Sequence, residues 1–341
     1  ILEKTPSIIY INFKFTIYWI RNILKLKFLK DASELIKTEG YFIGLYMYFK
    51  DMREYTIIQF TRAKCLITRI DNNRRIGRLI SKTKNIKFIT IQNGSRPKWE
   101  TKEKLKHDLF LSFSDLEIRN LKSIGWEANQ FKEYGSLSAA TQFSKEGNHN
   151  TLRDILVISS WRGNVKEDIN FKKQMENMKK MDYFLSNYLK DNGYKAEIIL
   201  RSIKNGPHWY IKSIGMNEME YFREIYGENI NILDHGKHNI KIYEEILKSH
   251  LSISSLSSCI LEANLYGFKA LYLNFGNNNL YYSDLPSDIV LSKNDPDLIS
   301  YQIAKLINES KAKRVQILNN AINKSQNAIS YLKKIILNYS G

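Results

Sequence analysis

The chain has 341 residues, 43% hydrophobic and 12% aromatic, which is apolar material for two cores and too much for a disordered or collagen-like chain. Lys and Arg number 52 against 35 Asp and Glu, and the formal charge of +17 favours anionic partners: nucleotides, nucleic acid, phospholipid headgroups or acidic sugars. Two cysteines, Cys65 and Cys259, cannot supply a disulfide framework or a four-ligand zinc site, and they point to a reducing compartment.

In chain order, residues 13–29 come first, mixing Lys14, Arg21, Lys25 and Lys27 with Trp19, Ile20, Ile23, Leu24 and Phe28. That stretch is too charged to span a membrane. It reads either as a core helix with snorkelling lysines or as a basic helix lying on an anionic membrane. No signal-peptide pattern is present, so the expected location is cytoplasmic, with peripheral contact at an inner membrane.

Short β-branched or aromatic runs then alternate with helix-like stretches, the pattern of parallel α/β layers. The expected strands are 55–60, 65–70, 87–91 and 109–113 in the first half, and 154–159, 196–200, 229–233, 251–254 and 270–274 in the second. A polar stretch at 138–153 lacks apolar periodicity and reads as a linker. After Pro296, Leu318, Ile322, Ile329, Leu332 and Ile336 recur at helical spacing, so one or two helices close the chain. The expectation is two Rossmann-like domains with a cleft between them, at 1–140 and 151–295, and a C-terminal helical segment at 296–341 packing back across both.

Three segments carry candidate chemistry. Residues 50–106 hold sixteen basic side chains against five acidic ones. Within them one strand runs into Asp71-Asn72-Asn73 and the next into Gln92-Asn93-Gly94, with Arg69, Arg74, Arg75 and Arg96 nearby. Carboxyl ends of strands line the ligand crevice of open α/β sheets. Amid arginines, Asp71 would stay ionised as nucleophile or base. The plainer alternative is helix caps and turns, which favour the same residue types. The second segment, Arg201 to Tyr210, contains Pro207-His208. The third, residues 243–267, reads as helix, buried strand, serine-rich turn and helix. Ser257 and Ser258 would open that last helix, where backbone N–H groups and the dipole attract phosphate, and Glu262 could reach a ribose hydroxyl. The alternative there is an ordinary serine cap with a solvent-facing glutamate. His235 and His238 read as a polar loop, and Asp295 and Asp297 as a helix cap rather than a metal pair.

The run Ser-Ser-Cys-Ile-Leu-Glu-Ala-Asn-Leu-Tyr-Gly at 257–267, followed by Ala-Leu-Tyr-Leu-Asn-Phe, resembles the donor-nucleotide motif of GT-B glycosyltransferases. With Asp71-Asn-Asn, Gln92-Asn-Gly, Asp108-Leu-Phe-Leu-Ser-Phe and Gly135-Ser136, it is similar to bacterial surface-carbohydrate proteins related to capsule and O-antigen transferases, retaining β-Kdo enzymes among them. The resemblance covers roughly residues 62–275. It implies a glycosyltransferase without metal or other cofactor, a nucleotide-sugar donor (a CMP-linked one is a candidate) on the second domain, and a glycan or lipid-linked acceptor on the first. It makes Asp71, Gln92 and Asn93 catalytic candidates and Asn72, Asn73, Gly94, Arg96, Arg201, His208, Ser257, Ser258 and Glu262 substrate-binding ones. Related sialyl- and Kdo-transferases carry His-Pro near the donor phosphate, whereas this chain has Pro207-His208. A sugar-nucleotide epimerase of the same architecture and a basic nucleic-acid-binding protein are the rival readings; the second lacks any recognised nucleic-acid motif.

Overall fold

The computed structural model describes residues 8–24, 26–69, 83, 86–95, 106–145, 150–161, 169–201, 217–234, 241–275, 285, 288–291 and 295–340. Three helices open it: α1 (Ile8–Ile23), α2 (Leu26–Glu39) and α3 (Tyr41–Phe60). The strand expected at 55–60 is instead the end of α3. Met52, Tyr55 and Ile58 are buried at a helical spacing of three, Asn22 donates to the Thr56 hydroxyl at 3.1 Å, and the Phe15 and Tyr18 rings meet Phe60 edge-on. Packing here outweighs the β preference of Tyr-Thr-Ile-Ile. Gly44 lets α2 and α3 touch, since a Cβ there would lie 2.5 Å from the Leu35 carbonyl oxygen.

Four parallel strands form the first sheet in sequential order: β1 (Cys65–Thr68), β2 (Lys87–Ile91), β3 (Lys106–Ser112) and β4 (Glu127–Glu133). Helix α4 (Asp115–Ser123), capped by the Ser114 side chain, joins the last two. Sequence reasoning missed β4 because Glu-Ala-Asn-Gln-Phe-Lys-Glu has only two apolar residues, three apart, so no period-two signal exists. It is tolerated because it lies at the sheet's edge.

The expected linker is also corrected at its start. Ser136 caps α5 (Leu137–Phe143), and Ala139, Ala140 and Phe143 are fully buried. Two turns of helix are too short to show periodicity. The second sheet follows: β5 (Arg153–Ile158), α6 (Ile169–Asn192), β6 (Ala196–Ile199), α7 (Glu218–Tyr226), β7 (Asn231–Leu233), α8 (Lys241–Leu247), β8 (Ser249–Ser254), α9 (Ser258–Leu265), β9 (Ala270–Leu273) and β10 (Val290–Leu291). Its order is β10-β9-β8-β5-β6-β7, all parallel.

Helices cover both faces of this sheet, which is why its strands read as continuous apolar runs. Alternate residues sort to the two sides. Ile155, Val157, Leu251, Ile253, Leu271 and Leu273 face a core shared with α6, α7 and α10 (Pro296–Ala312). Leu156, Ile158, Ala270 and Tyr272 face one shared with α5, α8 and α9. The last helix, α11 (Arg314–Ser340), joins that second core through Ile317 and Ala321, and joins β1 to β3 through Tyr331, Leu332, Ile335 and Tyr339. It therefore ties the two sheets together.

Helix propensity alone would make Gly44→Ala stabilising by about 1 kcal/mol. The Leu35 contact reverses the sign, and a loss of about 1 to 3 kcal/mol in chemical denaturation is expected. A more stable variant would contradict the α2–α3 crossing.

Candidate functional site

The order of the second sheet creates a switch point. From β5 the chain moves outward through β6 and β7, then returns to place β8 on the other side of β5. The helices that follow, α6 after β5 and α9 after β8, pack on opposite faces. Their divergence opens a crevice at the carboxyl ends of β5 and β8.

Both strands run out into the same three residues, Ile158-Ser159-Ser160 from β5 and Ile253-Ser254-Ser255 from β8, and Val157 pairs with Ile253. The Ser160 and Ser254 hydroxyls lie 2.9 Å apart, and Ser254 also donates to the Ile158 carbonyl at 2.8 Å. On the chain leading into α9, the Ser254 oxygen accepts from the backbone N–H groups of Leu256 and Ser257 at 3.4 and 3.2 Å. Ser255 is buried, yet its hydroxyl has no hydrogen-bond partner among the described residues. A buried hydroxyl at a helix N-terminus in a switch-point crevice is suited to an anionic ligand oxygen.

Ser257 is the N-cap of α9, accepting from Cys259 N–H at 3.4 Å, as the sequence leads one to expect. Ser258 differs: its hydroxyl donates to Glu262 at 3.0 Å. Glu262 is not a solvent-facing side chain. It is buried and accepts from Ser258, from Tyr243 at 2.6 Å and from Ser136. Burial raises its pKa, opposed by those three hydroxyls and by the charge of Arg69. Burial likewise pushes the neighbouring Cys259 thiol up to about 12, which disfavours its thiolate.

Ser136 brings the first sheet into the arrangement. It follows β4, and while it donates to Glu262 its oxygen accepts from Ala139 N–H at 3.2 Å and its carbonyl accepts from Tyr266 at 3.1 Å. Gly135 before it has φ +89°, and a Cβ there would lie 2.9 Å from the Tyr266 hydroxyl. At the end of β1, Arg69 reaches Ser138 of α5. One positive side chain of the first sheet thus stands near the α9 end of the second.

The remaining candidates separate. Gln92 is buried and internally engaged: its amide donates to Glu117 at 2.6 Å and to the Gly94 carbonyl at 3.0 Å, while its oxygen accepts from Ser112 and Phe113 N–H at 2.7 and 2.9 Å. That is the geometry of a strand-end lock. Asn93 is exposed beside it, and Gly94 is half-buried. Arg201 follows β6, which lies two strands, about 10 Å, from β8. Its backbone N–H donates to Glu218 at 2.7 Å and its guanidinium to the Trp161 carbonyl at 2.8 Å; Glu218 also accepts from Ser159. Asp71, Asn72, Asn73, Arg96 and His208 lie outside the described residues, as do His235 and His238. Asp295 is a cap, accepting from the N–H groups of Asp297 and Leu298 at 3.1 Å. Ser160 and Ser255 were not singled out from the sequence, although the repeated Ile-Ser-Ser at two strand ends was the signal that marks them.

No protein-family model matches the sequence, and no curated protein matches it. Solved structures do. A Listeria monocytogenes protein assigned as a UDP-N-acetylglucosamine 2-epimerase superposes with a TM-score of 0.51 at 12% identity, covering 83% of this chain and 77% of that one. The fold is of the GT-B type. The S. aureus MnaA–UDP complex gives 0.49 at 12% identity, over 85% and 79% of the two chains. The wall teichoic acid polymerase TagF gives 0.49 at 13%, over 84% and 75%.

Removing the Glu262 carboxylate leaves three hydroxyls without their acceptor. Glu262→Ala should therefore destabilise by about 2 to 5 kcal/mol. With its folded pKa raised, the glutamate's contribution is fully present below the unfolded value of about 4.3 and is lost as pH rises through the folded one. The stability of the wild type relative to Glu262→Gln should thus improve as pH falls from neutral. A difference independent of pH, measured by denaturant unfolding, would contradict this.

Proposed function

We propose that the chain is a nucleotide-sugar enzyme that transfers a sugar from a nucleotide donor seated at the β5–β8 switch point to a glycan or lipid-linked acceptor on the side of the first sheet. The observation that carries the reading is the buried Ser255 hydroxyl, partnerless among the described residues, beside the N-terminus of α9. Donor phosphate oxygens would accept from that hydroxyl, and the helix dipole would stabilise the phosphate as it departs. Ser257 shapes the turn, while Ser258 and Glu262 hold α9 against α5. Arg69 supplies positive charge from the facing sheet.

The resemblance of residues 62–275 to capsule and O-antigen transferases supports the finer reading: an acidic sugar such as Kdo as the transferred group, a surface polysaccharide as acceptor, no obligatory metal, and Asp71 as the nucleophile of a retaining reaction or the base of an inverting one. Arg96, Arg201 and His208 belong to it as donor-binding residues, Asn72, Asn73 and Gly94 as acceptor-side ones, and Asn93 as a catalytic candidate. A second reading, sugar-nucleotide epimerisation, is favoured by the Listeria fold match. Turnover of a nucleotide sugar without any acceptor separates the two.

Thermal-shift titration with CMP, UDP, GDP and CDP derivatives tests the site, because a ligand of the folded state raises its stability by mass action. One nucleotide class should stabilise the protein, and Ser255→Ala should weaken its binding by about 1 to 3 kcal/mol, roughly five- to 150-fold in Kd. Ser255 makes no hydrogen bond among the described residues, so the apo variant should melt like the wild type. An unchanged Kd would remove Ser255 from the site, and no stabilisation by any nucleotide would overturn the proposal.

A further inference from the structure

The first half of helix α3, residues 41–49, is apolar all round, although α1 and α2 cover only part of it. Tyr48, Met52, Tyr55 and Ile58 are buried, while Tyr41, Phe42, Ile43, Tyr46 and Ile57 are exposed, Phe42 at 83% and Tyr46 at 64%. A helix without a polar face needs a second cover. The exposed residues concentrate in its first turn, just beyond the α2–α3 corner at Gly40. On α1 the same holds: Ile17, Ile20 and Leu24 are exposed at i, i+3 and i+7, one stripe of the helix, with Leu24 at 69%.

Basic side chains predominate on these faces, although Glu39 at the α2–α3 corner is exposed and Glu54 on α3 is half-buried. Helix α1 contains no Asp or Glu, and Lys14 and Arg21 are exposed among its apolar residues. On α3 the exposed Lys50 and Arg53 flank the aromatic turn, and the Lys50 ammonium sits 5.8 Å from the Tyr46 ring centre. No helix among the described residues is long and apolar enough to cross a membrane.

We propose that the first turn of α3 and the outer stripe of α1 form a docking surface for an anionic lipid bilayer. Tyr41, Phe42, Ile43 and Tyr46 would enter the interface, where aromatic rings with a polar edge are favoured, while Lys14, Arg21, Lys50 and Arg53 would meet the headgroup phosphates. A second copy of the chain is the less suitable cover, because a twofold contact would set the same basic residues against themselves. The surface is separate from the nucleotide site, and its test uses no nucleotide.

Flotation with vesicles of phosphatidylcholine containing about a third phosphatidylglycerol should carry the protein upward, and binding should fade as salt rises and on pure phosphatidylcholine. Phe42→Ser/Tyr46→Ser should lower partition about tenfold or more, and Lys50→Glu/Arg53→Glu should do the same. All four positions are exposed, so circular dichroism should be unchanged. In Phe42→Trp, the added fluorescence should be quenched by brominated acyl chains. Equal partition of wild type and both double variants would overturn the proposal. So would a concentration-dependent dimer abolished by Phe42→Ser/Tyr46→Ser in a protein that ignores vesicles, which would give the surface to a second copy.

Discussion

A carboxylate sealed between two layers must be supplied with hydrogen-bond donors, because burial without them disfavours the folded state by several kcal/mol. Glu262 is in that position, and its three donors come from three places: Ser258 on its own helix, Tyr243 on α8 and Ser136 on the connection from the first sheet. Only the last is remote in character, because it fixes where α5 begins and so how the first sheet meets the second. Tyr266 reinforces the junction by donating to the Ser136 carbonyl across Gly135, where a side chain would collide. Helix α11 then bridges the two cores on a longer scale.

With α9 held in this way, its N-terminus stays at the β5–β8 switch point, and chemistry there would need little rearrangement. The paired Ile-Ser-Ser ends crowd hydroxyls into one crevice: Ser159 is committed to Glu218, Ser160 and Ser254 to each other, and Ser255 has no partner among the described residues. The proposed phosphate site would thereby be preorganised, the condition under which electrostatic stabilisation of a leaving group is most effective. The overall positive charge and the basic apolar surface of α1 and α3 fit substrates that are anionic or bilayer-bound.

The strands of the second sheet were legible because, buried on both faces, they read as unbroken apolar runs bounded by turns, and each of the five expected there forms within a few residues of its expected limits. The serine cap of α9 was legible for a local reason, since capping is written in the residues next to the helix. What failed was whatever depends on distant partners. Residues 55–60 look like a strand until Asn22, Phe15 and Tyr18 fold onto them, and β4 looks like a loop until β3 pairs with it. Gln92 was legible as a strand-end residue; the contacts of its amide with Ser112, Phe113 and Glu117 were not. Glu262 carried the same ambiguity, since its spacing from Ser258 is visible in sequence but its contacts with Ser136 and Tyr243 are not.

The central claim is that a nucleotide phosphate rests on the N-terminus of α9. Hydrogen–deuterium exchange, with and without a nucleotide that stabilises the protein, reads those backbone amides directly. The expected result is slower exchange at residues 255–259, where a ligand on the Ser255 hydroxyl would hold the turn into α9 closed. Protection confined to the ends of the first sheet, at 92–94, with 255–259 exchanging as in the apo protein, would contradict the account.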